Sequence, residues 1–243
     1  MTSGRVDLFR VGLILPSSNT TMEPEFHQIL ASYTNIYSSR MRLRNVTVSE
    51  LKEMESEAER AAHELSDAKV DLLCYGCTSG SLFKGLGHDQ ALVQRIERET
   101  SIPTIATAGA VVEALRHIRA RRIIVATPYT KEIDELESGF LNANGFGVMK
   151  IIGLGLTRNL DIGLQDPQVA YDLAKKAYLA DADGLFISCT NFRTIEIVAR
   201  LEDELGQPVI SSNTATAWKI LTTLGLKSRI EGYGRLLEQS QSG

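Results

Sequence analysis

The chain of 243 residues is poor in several residue types, and each scarcity excludes something. Aromatic residues make up 6% and there is one tryptophan, three cysteines and four histidines. Three cysteines cannot build a disulfide framework, and an odd count leaves at least one thiol free. His27, His63, His88 and His117 are scattered. No second C-x-x-C accompanies the "CYGC" of residues 74–77, so a structural zinc site lacks its four ligands and no metal is expected. A thioredoxin-like reading of the same motif fails because Cys74 lies inside an apolar strand pattern, where it is expected to be core. The apolar run between Arg10 and Pro16 is too short for a membrane helix or a secretory h-region. A cytoplasmic protein with reduced thiols is therefore expected. The net charge of −4 leaves no basic stripe, which argues against a nucleic-acid partner. No Gly/Ser-rich linker divides the chain. Self-association into a homo-oligomer cannot be read from any of these patterns.

What is present is an ordinary globular composition, 43% hydrophobic and 23% charged, and an internal repeat. "VGLILPSSNTTMEPEF" (11–26) aligns with the stretch starting "IIVATPYTKEIDELESGF" (123–140), setting Pro16 on Pro128. The same shift of 112 sets Cys77 on Cys189 and Thr78 on Thr190. A third pair, "IPTIATAGAVVEALRHI" (102–118) and "QPVISSNTATAWKILTTL" (207–224), sets Pro103 on Pro208. A register shared by Pro and Cys argues for two similar halves.

Each half alternates strand and helix patterns. In the first, strands are predicted at 10–16, 35–42, 70–75 and 102–106, with helices at 22–33, 48–68 and 88–100; Thr47 and Glu50 form a capping box at the second helix. In the second, strands are predicted at 122–127, 148–154, 183–188 and 208–211, and helices at 130–144, 167–181, 191–205 and 213–224. Alternation of this kind implies an α/β fold of two pseudo-symmetric lobes, each with a mostly parallel sheet flanked by helices. The expected lobes are 1–112 plus 214–243, and 113–213, meeting at a tight interface. Ligands of such sheets sit beyond the strands' carboxyl ends. Those ends carry "PSSNTT", "GCTSGS", "ATAG", "TPYT", "SCTNFR" and "SSNTAT". The repeat would aim Cys77 and Cys189 at one cleft between the lobes.

The residue types suit proton or carbon chemistry at that cleft. A thiol with an ordinary pKa of ~8.5 serves as acid, base or nucleophile after a modest shift. A Cys between a strand end and a helix N-terminus would be expected to favour the thiolate. Ser17, Asn19, Asn159, Thr190 and Asn191, with following helix N-termini, could cradle a small carboxylate and stabilise a developing enolate, although the same residues also cap helices. Tyr129, the counterpart of Ser17, could bond a carboxylate or pack in the lobe interface. Arg40 and Arg42 could pair with substrate or solvate an edge strand. Trp218 falls in a helical apolar pattern and reads as core.

"PSSNTTMEPE", "SSRMR", "ELSDAKVDLLCYGC", "ATPY" and "NLDIG", in this order over nearly the whole chain, resemble segments of maleate cis-trans isomerases. "GLGLTRNLDIG" and "CTNFRT" are similar to the EutA group. Both belong, with arylmalonate decarboxylases, to the Asp/Glu/hydantoin racemase superfamily. The resemblance implies two pseudo-symmetric α/β lobes with the active site between them and neither metal nor organic cofactor. It implies Cys77 as the nucleophile that adds to the maleate double bond and Cys189 as the second cysteine. It implies Asn19, Tyr129 and Asn159 as holders of the substrate carboxylates. The sequence departs from the isomerases in the polar pairs Thr78-Ser79 and Thr190-Asn191, which would line a more polar pocket. The decarboxylases keep one cysteine, in the second half, so two cysteines argue against decarboxylation.

The expected function is cofactor-independent isomerisation of a small carboxylate, maleate first, through Cys77 and Cys189. A two-cysteine racemase or epimerase of an amino-acid or hydantoin derivative is the runner-up. A small-acid binding protein with inert core cysteines is the reading from another class.

Overall fold

In the computed structural model, which describes residues 8–238, the strands form two four-stranded parallel sheets. The first holds β1 (Phe9–Pro16), β2 (Thr34–Met41), β3 (Leu72–Tyr75) and β4 (Thr104–Ala106), in the order β2-β1-β3-β4. The second holds β5 (Arg122–Thr127), β6 (Gly147–Gly153), β7 (Gly184–Ile187) and β8 (Val209–Ser211), in the order β6-β5-β7-β8. The α/β class and the parallel sheets are as the alternation predicted. Parallel neighbours require crossovers, and helices supply them.

The repeat is visible bond for bond. Gly76 donates to the Ile14 carbonyl at 2.9 Å, and Ser188 to the Ala126 carbonyl at 2.8 Å. At the other end of the same strands Asp71 donates to Arg10 at 2.8 Å and Asp183 to Arg122 at 2.7 Å. Leu73 and Leu185 donate to the carbonyls of Pro103 and Pro208, each at 2.9 Å. These pairs obey the offsets read from the sequence. They fix β3 beside β1 and β7 beside β5, so each cysteine emerges past the carboxyl end of an inner strand.

Helices α1 (Met22–Ile29), α2 (Val48–Glu55), α3 (Ala58–Asp67), α4 (Thr78–Leu82), α5 (His88–Thr100) and α6 (Thr107–His117) serve the first half. α7 (Lys131–Ala143), α8 (Asn159–Gly163), α9 (Pro167–Ala177), α10 (Ile195–Leu205) and α11 (Ser212–Thr223) follow, with a short α12 (Arg235–Glu238). Four predicted helices differ. The helix at 48–68 breaks into two at Ser56 and Glu57, which form a turn between α2 and α3. The helix at 167–181 stops at Ala177, because the Tyr178 backbone turns to ψ 137°. The helix at 22–33 stops at Ile29. The helix at 191–205 begins only at Ile195, because residues 190–194 form a turn. Thr47 caps α2 as predicted, accepting from the Glu50 N–H at 3.3 Å. The Glu50 carboxylate instead receives the N–H groups of Arg44 and Asn45.

α6 packs along α11, so each helix follows the last strand of one sheet and meets its counterpart from the other half. The apolar core is continuous across the halves: one cluster contains Ile14, Tyr75 and Cys77 together with Tyr129, Ile187 and Cys189. Cys74 and Trp218 are buried in a second cluster. Among the described residues, no helix is long and apolar enough to cross a membrane.

Candidate active site

Cys77 is the N-cap of α4. Its backbone is extended, at φ −144° and ψ 113°, and its Sγ accepts the Gly80 N–H at 3.3 Å, as a serine cap would. The Ser79 hydroxyl lies 3.7 Å from the same sulfur. Cys189, its repeat mate, is held differently. Its φ is +89°, a left-handed backbone that is rare outside glycine and costs roughly 1–3 kcal/mol. Its Sγ accepts the Asn191 N–H at 3.3 Å, and its own N–H donates to the Ser212 hydroxyl at 3.0 Å. No helix starts at Cys189, so the helix-dipole argument made from the sequence applies to Cys77 alone.

The two cysteines are brought together by bonds that cross between the halves. Thr78, next to Cys77, donates to Ser212 at 2.8 Å, and Ser212 accepts from Cys189. Thr190, next to Cys189, donates to the Gly76 carbonyl at 3.1 Å. Asn19 donates through Nδ2 to Thr190 at 3.0 Å. Tyr129 is buried within hydrogen-bonding reach of Cys189 and feels the charge of both cysteines. A second seam joins the segments around Asn45 and Asn159. Val46 donates to the Thr157 carbonyl at 2.7 Å, and Asn159 to the Arg44 carbonyl at 2.9 Å. Asn159 also donates through Nδ2 to Ser18 at 2.9 Å and accepts from Asn191 at 2.6 Å.

Electrostatics overturn one expectation. Neither thiol is tilted toward the thiolate in this state. Burial pushes Cys77 up to about 11, against the smaller opposing effects of the Gly80 and Ser79 hydrogen bonds. Burial pushes Cys189 up to about 12, against Tyr129 and the Asn191 N–H. The magnitudes explain the outcome: a helix terminus contributes roughly 0.3–1 kcal/mol, below the ~1.4 kcal/mol of one pKa unit. Full burial shifts a group by several units. Both cysteines are 4% exposed. Cys74 is pushed up further, by burial alone.

The polar pairs after the cysteines are buried, and three of the four side chains are bonded within the protein. The side chains of Thr78, Thr190 and Asn191 are engaged with Ser212, Gly76 and Asn159, and the Ser79 hydroxyl stands beside the Cys77 sulfur. Ser17 is exposed, and its hydroxyl is tied to the backbone of Leu43. Asn19 uses Oδ1 to accept the N–H groups of Thr21 and Met22, both at 3.0 Å, which caps α1. Its Nδ2 retains a second N–H, since an amide nitrogen carries two. Arg40 is exposed on the edge strand β2, where it holds the Asn19 carbonyl at 2.6 Å and pairs with Glu23.

Ser18 and Ser212 belong to the strand-end donor motifs of the sequence, whereas Glu25 and Glu137 are not marked by any motif. Glu25, in α1, reaches the other half and accepts from Thr194 N–H at 3.0 Å and Asn213 Nδ2 at 2.6 Å. Glu137, in α7, accepts from Ser188, the residue before Cys189, at 2.6 Å. The shift of 112 sets Glu25 on Glu137, a signal that was present in the alignment but unread.

Comparison with known proteins adds an independent line. The family profile described as arylmalonate decarboxylase matches residues 11–237. A maleate isomerase of Geobacillus stearothermophilus is 35% identical, covering 94% of this chain and 97% of that protein. A maleate isomerase of Pseudomonas putida is 36% identical, with 95% and 97% covered. Among solved structures, a cysteine-to-serine variant of the Nocardia farcinica maleate cis-trans isomerase, with a covalently bound succinylcysteine intermediate, is 29% identical with a TM-score of 0.94. It covers 96% of this chain and 100% of that one.

Proposed function

The chain belongs to the arylmalonate decarboxylase family, and from that premise we propose that it is a cofactor-independent maleate cis-trans isomerase with a catalytic cysteine. The observation that carries the reading is the joining of two cysteine loops, one from each half, through Thr78–Ser212–Cys189 and Thr190–Gly76. The division into lobes at 1–112 plus 214–243 and 113–213 belongs to this reading, and the two separate sheets support it.

In this account Cys77 supplies the sulfur. Its S–C bond forms at one alkene carbon as the π bond breaks, and the electron pair moves toward the neighbouring carbon and its carboxylate. Cys189 delivers a proton to that carbon, and the proton lost by Cys77 restores Cys189. The double bond is now a single bond. Rotation about it, followed by the reverse steps, releases fumarate, with no net gain or loss of protons or electrons. The second N–H of Asn19, Asn159 and the phenol of Tyr129 hold the two carboxylates and the developing enediolate. Ser79 supports the sulfur of Cys77. Ser17, Thr78, Thr190 and Asn191 act by shaping the loops, since their polar groups are engaged within the protein. Ordinarily disfavoured thiolates need exist only briefly, because each proton move is matched by another. A reducing cytoplasm is the compartment that keeps such thiols competent.

The internal pairing of Thr78, Thr190 and Asn191 removes the extra pocket polarity expected from the sequence, which would have suited a racemase better than an isomerase. The test is ¹H NMR of maleate with the protein alone. Growth of fumarate at the expense of maleate is expected. Unchanged maleate, with loss of optical activity from aspartate or a hydantoin, would overturn the reading.

A further inference from the structure

Glu137 occupies the second half's counterpart of Glu25, and the two carboxyls are treated differently. Glu25 has N–H donors on both oxygens, from Thr194 and Asn213. That pattern suits a structural link between halves. Glu137 is fully buried, its Oε1 accepts from the Ser188 hydroxyl at 2.6 Å, and its Oε2 has no partner. Among the described residues no cation pairs with it. The ionisable groups around it are Asp134 on its own helix, Tyr129 beyond β5 and Cys189 beyond β7, with Cys77 past Tyr129. α4, packed on α7 from the first half, carries no ionisable side chain. Lys150 of the neighbouring β6 is turned to the Lys176 carbonyl.

A buried carboxylate with a single hydroxyl donor is expensive to keep ionised. As a neutral acid it is tolerable, and burial, with the adjacent Asp134, pushes it up to about 8 against the Ser188 bond. Ser188 immediately precedes Cys189, so the state of this carboxyl is felt at the sulfur.

We propose that Glu137 is a positioning residue for Cys189: held as a neutral acid behind it, Glu137 lets the Cys189 sulfur carry negative charge in the proton relay, and once ionised it opposes that charge. This rests on the proposed role of Cys189 as a relay. Glu137 touches neither substrate nor reacting carbon in this account. Its effect is electrostatic and is transmitted over the Ser188–Cys189 segment.

The experiment is the pH dependence of kcat on maleate for the wild type, Glu137→Gln and Ser188→Ala, with the rate of Cys189 alkylation by iodoacetamide read by peptide mass spectrometry. A single ionisation predicts that wild-type kcat falls about tenfold per pH unit above the Glu137 titration. Glu137→Gln should lose that alkaline fall. Ser188→Ala, lacking the donor that favours the carboxylate, should move it to higher pH by about one unit. At alkaline pH, Cys189 should be alkylated several-fold faster in Glu137→Gln than in wild type. Identical alkaline falls and identical Cys189 alkylation in all three proteins would overturn the proposal. Should Glu137→Gln fail to fold, Ser188→Ala alone decides by whether the fall moves. A wild type inactive on maleate would sink the isomerase reading, while the alkylation rates would still judge Glu137.

Discussion

The Nδ2 of Asn19 donates to the hydroxyl of Thr190 at 3.0 Å, joining residues 171 apart in sequence beside the two cysteine loops. The same side chain caps α1 through Oδ1. One amide therefore links the fold of the first half, the seam between halves and the proposed carboxylate site. Asn19→Ala should lower stability by roughly 1 kcal/mol, the usual value of a lost cap, and raise KM for maleate at least about tenfold for the lost donor. Asn19→Asp keeps the cap but places a carboxylate near a dianion, so its KM should rise with a smaller loss of stability. Urea denaturation and steady-state kinetics on both variants check the split.

Backbone strain at Cys189 makes a prediction independent of chemistry. At φ +89° a glycine is more comfortable than any side chain. Cys189→Gly should be more stable than Cys189→Ala by about 1 kcal/mol. Equal stability of the two variants would show that the left-handed backbone costs nothing here.

Gly163 in α8 lies against the Asn191 amide. A Cβ placed there would meet the Thr20 hydroxyl first and would lie 2.9 Å and 3.0 Å from the Asn191 Oδ1 and Nδ2. Gly163→Ala should displace Asn191, which supports Cys189 and Asn159, and cost roughly 1–3 kcal/mol from overpacking. A fall in kcat/KM of at least about tenfold is expected, following loss of site geometry, with a folded protein by circular dichroism.

Stability should fall between mildly acid and mildly alkaline pH. Glu25 is pushed up to about 7, Asp134 to about 6 and Glu137 to about 8, all chiefly by burial. Each binds its proton more tightly folded than unfolded, so each contributes stability that is complete below its ordinary carboxyl range and lost as pH rises through the folded value. For Glu137 the window runs from the ordinary 4.5 to about 8, with a slope on the order of 1 kcal/mol per pH unit. Urea midpoints for wild type and Glu137→Gln should therefore converge at acid pH and separate toward pH 8, with the variant more stable. A constant difference across the range would contradict the linkage.

The fold was legible because its signals were local and repeated. Pro16 and Pro128, Cys77 and Cys189, and Pro103 and Pro208 fixed a register that the strand pairing reproduces. The break at Ser56, the turn at 190–194 and the short α4 and α8 were not legible: the Ser56 break is an exposed local turn onto the Glu53 carbonyl, α4 is capped by a cysteine rather than a usual cap residue, and the 190–194 turn is held by bonds to the other half. At the site, the residue types were visible but their engagement was not. Thr78 and Ser17 look alike as small strand-end hydroxyls; one is joined to Ser212 across the halves and the other is exposed on the Leu43 backbone. The thiol expectation failed for a similar reason, since burial is a property of the assembled halves and outweighs a helix terminus.

The central claim, that the Cys77 sulfur bonds to the alkene, is tested most directly by kcat for maleate conversion in Cys77→Ser. The account predicts a fall to below about one thousandth of the wild-type rate, since serine lacks a comparable nucleophile without an adjacent base. Conversion of maleate by Cys77→Ser at a rate within about tenfold of wild type would contradict it.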